Sequence, residues 1–412
     1  MEATPKKSHK GIDWVLIGTV GLIVFVYICI HDLAGGSLLN HDPHDSYTLQ
    51  ALSWLRGSIP LLEGANYPWL ELAIYNGQYY VSFPPLPAVF MLVPVLFFGV
   101  NTPNNIIVIV YTIAAFVGAY HCFKACGVKP WHCVFWAVLA IYGSSMFEIS
   151  TNGGVWLQAQ TLNMLLCMWG VYFAIKNKRM LCLTFFALAV GCRPFSALYL
   201  PMAVYYFFRL DNKQHTDIKT AVWRSLKKQW PAILTACVIV GTYMAYNFYR
   251  FGSFLEFGHN YLPEFTQAEH GQFYLGYVPQ NLFNIFLRPL WFDAKGGLEF
   301  PLYAGFMFYV VNTLFLIYFI TLFKDVWKKR ITDVQIVITI CLVLNLFLLC
   351  CHKSFGGYQF GARYTLDFLP FAMFYLILAG KSKPTTFEQF VCGFAVIFNA
   401  YGAMYMRLLQ SW

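Results

Sequence analysis

Eleven apolar runs, at residues 14–30, 106–123, 131–147, 155–175, 180–192, 195–208, 230–248, 301–323, 333–351, 364–380 and 387–406, leave this chain little choice of solvent. A hydrocarbon core about 30 Å thick takes roughly 20 apolar residues per helical crossing, and inside it backbone groups must be satisfied within the segment, so helices follow. Composition agrees: 58% of the 412 residues are hydrophobic, 19% aromatic and only 11% charged, with mean hydropathy +0.55. The expected fold class is an all-α polytopic membrane protein of about 11 transmembrane helices (10–12), forming one domain over 1–412 without a separate soluble domain.

The formal charge of +9 is scattered among short connectors, which fits the excess of Lys and Arg on cytoplasmic loops and argues against a nucleic-acid partner. The twelve cysteines sit mostly inside apolar runs without a CxxC pair and read as small buried residues. Lys6, Lys7 and Lys10 precede a first run that lacks a small-residue cleavage site, which predicts a retained first span with a cytoplasmic N-terminus.

A twelfth apolar segment, 84–100, is short and opens on Pro84, Pro85 and Pro87. If it crossed the bilayer, the basic loops 209–228 and 324–330 would move outside. The positive-inside rule therefore predicts an interfacial helix there, and the alternative is a short true span. Three outer loops follow: 31–105, 249–300 and 352–363. Most of the 19 acidic residues fall on that side, which is where polar chemistry is expected. Residues 180–208 read as two short helices meeting at Arg193-Pro194, because proline breaks a helix and a mid-bilayer arginine is costly.

The densest polar cluster is "NHDPHDSY", residues 40–47. Two carboxylates beside two histidines suit a general base with an orienting partner, or a hard divalent cation. The same residues suit an Asp-Pro turn followed by a helix cap at Asp45 or Ser46. Arg193 in "GCRPF" and Arg363 in "FGGYQFGARYTLDFLP" offer guanidinium groups suited to a phosphate, or to anchoring at lipid headgroups. His259 and Tyr261, within "NFYRFGSFLEFGHNYLPEF", either line a groove or rest on the membrane. Trp156, Gln158 and Gln160 begin a span and fit a sugar contact or an interface belt. No P-loop, GxSxG, HExxH or dinucleotide fingerprint is present in the sequence.

In order along the chain, "HDPHDSY", "ALSWLRGSIPLL", "WLELAIYNGQYYVSFPPLPAVF", "CRPF" and "GGYQFGARYTLDFLP" resemble the GT-C glycosyltransferases, the multi-span class that includes protein O-mannosyltransferases and aminoarabinose transferases. The resemblance implies transfer of a sugar from a polyprenyl-phosphate donor to a lipid, glycan or protein acceptor. The reaction would take place on the outer face of the plasma (inner) membrane. It implies Asp45 or Asp42 as the base and Arg363 and Arg193 on the donor phosphate. Beside these, Tyr364, His44, His259 and Tyr80 are expected as further substrate contacts. It leaves a divalent metal open, with Asp42 and Asp45 as its ligands, and implies no other cofactor. The chain departs from some members in lacking an adjacent Asp-Glu pair and a basic residue before "FPPLP". A transporter or flippase is the alternative class. Arg193-Pro194 is the one feature that suits it, since no internal repeat is seen.

Overall fold

The computed structural model describes residues 12–212, 217–292 and 294–410, so Lys6, Lys7, Lys10, Lys213 and Asp293 lie outside the described residues. Its helices are α1 (Trp14–Leu33), α2 (Ser46–Leu55), α3 (Leu86–Phe98), α4 (Asn104–Ala125), α5 (Pro130–Ile141), α6 (Met146–Ile149), α7 (Val155–Ile175), α8 (Arg179–Val190) and α9 (Tyr199–Asp211). They continue with α10 (Ile218–Phe251), α11 (Pro263–Thr266), α12 (Val278–Phe286), α13 (Phe308–Val311), α14 (Leu314–Trp327), α15 (Asp333–Cys350), α16 (Leu369–Leu378) and α17 (Thr386–Gln410). Two small hairpins, β1 (Leu72–Tyr75) with β2 (Gln78–Val81) and β3 (Trp291–Phe292) with β4 (Leu298–Glu299), complete the regular structure.

Every apolar run carries helix, and five helices are long and apolar enough to cross a membrane alone: α1, α4, α10, α15 and α17. The run at 301–323 is a correction. Helix begins only at Phe308, because Ala304 and Gly305 adopt left-handed backbone, φ 61° and 81°, and turn the chain across the end of the bundle. Several other helices are short. Their ends meet irregular backbone that is buried in protein, where side chains satisfy the freed polar groups. Asn312 Oδ1 accepts from the backbone N–H of Ser145 at 2.7 Å, and its Nδ2 donates to Thr365 Oγ1 at 2.6 Å. Ser145 Oγ donates to the Phe360 carbonyl at 3.1 Å. The broken ends of α5, α13 and α16 are thereby tied at one level.

Polar contacts sort the helix ends into two groups. At one end Lys124 and Tyr120 hold Asp13, Arg179 and Lys228 both pair with Asp211, Arg209 pairs with Asp333, and Lys381 pairs with Glu388. At the other end the His41 ring meets the Thr102 carbonyl, Val155 N–H donates to the His44 carbonyl, and Arg250 donates to the Val81 carbonyl at 2.8 Å.

Helix α3 belongs wholly to this second end. Its first N–H, on Leu86, donates to the Gly191 carbonyl in the turn after α8, and the chain leaving it reaches Thr102 beside His41. The helix therefore enters and leaves at the same end of the bundle. It buries Ala88, Met91 and Val95 and exposes Val89, Phe90, Val93, Leu96 and Phe97, a pattern that suits a segment lying against apolar lipid. The hairpin before it turns on Asn76-Gly77, both at positive φ (51° and 73°), the conformation a tight two-residue β-turn requires.

Candidate functional site

A cavity of about 1010 Å³ opens at the α3 end. Its wall is built from chain breaks: the loop after α1, the α6 turn, the start of α7, the 259–265 segment, the 352–358 loop and the approach to α16. Five of the eight residues expected at a site line it: Asp42, His44, His259, Arg363 and Tyr364. The other three, Asp45, Arg193 and Tyr80, do not line it.

Asp42 and Asp45 have different tasks. Asp42 Oδ1 accepts from the His44 N–H at 2.8 Å and lies 3.2 Å from His44 Nδ1, while the Asp42 N–H donates to Asn104 Oδ1. The Asp-Pro turn thus presents Asp42 and the half-exposed His44 to the cavity. Asp45 caps α2: its carboxylate accepts from Thr48 N–H at 3.1 Å, Thr48 Oγ1 at 2.5 Å and Asn104 Nδ2 at 3.0 Å. It is buried, and burial raises its pKa. Among the described residues no group of three or more His, Cys, Asp or Glu side chains is arranged to hold a metal ion.

The two arginines also separate. Arg193 is consumed by Asp367, with Nε at 2.8 Å and Nη2 at 2.7 Å, and its guanidinium carbon lies 4.5 Å from the centre of the Tyr364 ring. Arg363 lies 4.9 Å from the centre of the same ring, but its hydrogen bonds go to neutral acceptors, the Gly356 carbonyl at 3.0 Å and Gln160 Oε1 at 3.3 Å. Among the described residues no carboxylate is within ion-pair distance of it. Gly356, Gly357 and Gly361, all at positive φ, fold the preceding loop around it. A buried guanidinium without a counter-ion on a cavity wall is a place for an anion.

Tyr80 packs its ring on Phe251 and donates its hydroxyl to Gln78. His259 stands edge-on to Phe83, with ring centres 5.2 Å apart, and burial, helped by His352 and Arg193, pushes its pKa down to about 3. Burial likewise lowers His352 to about 4, although its Nδ1 meets the Ser354 carbonyl at 2.7 Å.

Several wall residues were not anticipated from sequence: Glu71, Glu148, Glu264, His352, Lys353 and Arg407. Glu71 accepts from the Trp156 indole N–H at 3.0 Å and is raised in pKa by burial. Its place is set by the hairpin, which the Asn76-Gly77 pair signals. Glu148 was visible only as an acidic residue at a helix end.

No protein-family model and no curated protein matches the sequence. Among solved structures, ArnT from Cupriavidus metallidurans bound to undecaprenyl phosphate superposes with a TM-score of 0.53 at 12% identity, over 93% of this chain and 63% of that one. The apo state of the same protein superposes with a TM-score of 0.50 at 12% identity, over 89% and 59%. The chain thus spans about three-fifths of the length of these ArnT chains, and the likeness is one of fold. Nearly the whole chain shares its membrane-protein fold with ArnT.

Proposed function

We propose that this protein is a membrane glycosyltransferase that moves a sugar from a polyprenyl-phosphate donor to a hydroxyl of a glycolipid, cell-surface glycan or protein. The observation that carries the reading is that Asp42 and Arg363 line one cavity, and Arg363 lacks an acidic partner among the described residues. Arg363 holds the donor phosphate. Asp42, steadied by His44, takes the acceptor proton as the acceptor oxygen bonds to the anomeric carbon and the carbon–oxygen bond to phosphate breaks, its electron pair leaving on the lipid phosphate. Undecaprenyl phosphate in the ArnT neighbour supports a polyprenyl donor. The distribution of basic residues supports a plasma (inner) membrane protein with a cytoplasmic N-terminus and the cavity on the outer face.

The test is sugar transfer by purified protein supplied with polyprenyl-phosphate sugars. Asp42→Asn is expected to lower the rate by about 10²-fold or more, as loss of a general base does. Equal transfer by the variant and the wild type would overturn the assignment.

A further inference from the structure

Glu148 lies in the α6 turn on the cavity wall. It is 4% exposed, and among the described residues its Oε2 has no hydrogen-bond partner. Two elements packed on α6 carry charged groups: the turn before α16 has Arg363 and Asp367, and α17 has Arg407 and, paired with Lys381 in its first turn, Glu388. The start of α7, the third neighbour, presents the neutral Gln158 and Gln160. Asp367 is taken up by Arg193, and Arg407 donates to the Thr151 carbonyl at 3.3 Å. That leaves Arg363, whose charge reaches the carboxyl without touching it.

A buried carboxyl and a buried guanidinium would neutralise each other on contact. Here they line the same space, apart, each without an ionic partner among the described residues. A cation between them would be repelled by Arg363, and a neutral ligand would leave that charge uncompensated. An oxyanion satisfies both, taking charge-assisted bonds from the guanidinium and a hydrogen bond from a protonated carboxylic acid. Burial raises the Glu148 pKa to about 8, so the acid keeps its proton at neutral pH.

We infer that Glu148 is a second phosphate-binding residue, donating a hydrogen bond from its neutral carboxylic acid to the lipid-linked phosphate that Arg363 holds. The inference rests on the donor reading above. Ionisation of Glu148 would turn that donor into a like charge facing the ligand, so binding weakens as pH rises through the Glu148 pKa.

The experiment is equilibrium binding of undecaprenyl phosphate to the purified full-length protein at pH 7 and pH 9, with inorganic phosphate as competitor. The wild type is expected to lose about tenfold in affinity over that interval, the size of one lost charge-assisted hydrogen bond. Glu148→Gln keeps a neutral donor and is expected to bind with little change across the interval. Glu148→Ala is expected to bind about tenfold more weakly at pH 7. The ligand's own second ionisation, near pH ~6, affects all three proteins alike. Persistence of the wild-type pH response in Glu148→Gln, or wild-type affinity in Glu148→Ala, would overturn the inference while leaving the donor reading intact if Arg363→Gln still abolishes binding. Absence of binding by the wild type at either pH would sink the donor reading and this inference with it. Inorganic phosphate is expected to compete poorly, and displacement of the lipid at millimolar phosphate would assign the subsite to free phosphate instead.

Discussion

Asp367 is held by two nitrogens of Arg193, at 2.8 and 2.7 Å, whereas Arg363, four residues earlier in the same turn, meets only neutral acceptors. One arginine therefore belongs to the framework and the other to the cavity. Removing one member of a buried pair strands the other charge, at about 3 kcal/mol or more. Asp367→Asn and Arg193→Met are each expected to lower thermal stability markedly in detergent. Arg363→Gln should fold with a melting temperature near that of the wild type and fail to bind lipid phosphate. Equal destabilisation by all three would show that the two arginines are not divided in this way.

The two first-loop carboxylates make a similar contrast. Asp45→Ala removes the α2 cap and leaves Thr48 and Asn104 without their acceptor, so it should cost about 1–2 kcal/mol or more of stability. Asp42→Asn should leave unfolding almost unchanged and slow transfer by about 10²-fold or more. Thermal unfolding and a transfer assay on the same two preparations separate these outcomes.

His259 and His352 titrate at about 3 and about 4 in the folded protein, against an ordinary value of 6.5. An unfolded chain therefore binds more protons below pH 6.5, and the contribution of these residues to stability, complete above that pH, is lost as pH falls toward 4. The melting temperature should drop between pH 7 and pH 5. His352→Gln should shrink the drop, and an unchanged drop in that variant would exclude His352 as a source.

Gly361 sits at φ 85°, and a Cβ there would come within 2.7 Å of the Val311 side chain, whereas Gly357, at φ 62°, faces open space. Gly361→Ala should cost clearly more than the about 1–2 kcal/mol of a left-handed backbone, and Gly357→Ala about that amount alone. Denaturant unfolding of the two variants checks the order.

Cysteine labelling tests how α3 lies. With other exposed thiols removed, Ala65→Cys and Asn101→Cys should react with an impermeant reagent from one side of the membrane, and the exposed native Cys126, just beyond α4, from the other. Reaction of the Ala65 and Asn101 positions from opposite sides would mean that α3 crosses.

Much of the fold was legible because a bilayer allows so few backbone solutions: apolar runs of sufficient length become helices. The late start at Phe308 was not legible, since it depends on left-handed backbone at Ala304 as well as Gly305. The β1–β2 hairpin was missed although Asn76-Gly77 announces it, because its flanking residues also suit a membrane interface. The site was half legible. Histidine and aspartate in one loop drew attention to Asp42 and Asp45 together, and the Thr48 bonds show that Asp45 serves as the cap while Asp42 faces the cavity. Arg193 and Arg363 looked equivalent for a similar reason, since the partner that distinguishes them is 174 residues from Arg193 along the chain.

Helix α10 is bolted at both ends. Lys228 and Arg179 share Asp211 at one end, and at the other Arg250, buried beside Asn247, donates to the Val81 carbonyl of the hairpin. The stretch between Lys228 and Arg250 amounts to ~33 Å of helix, close to the thickness of a hydrocarbon core of about 30 Å. Such a strut works as a gauge block: it fixes the height of the cavity mouth above the opposite surface. In a thinner or thicker bilayer the lipids must pucker to meet the protein, so membrane thickness sets how far the surrounding headgroups stand from the cavity mouth.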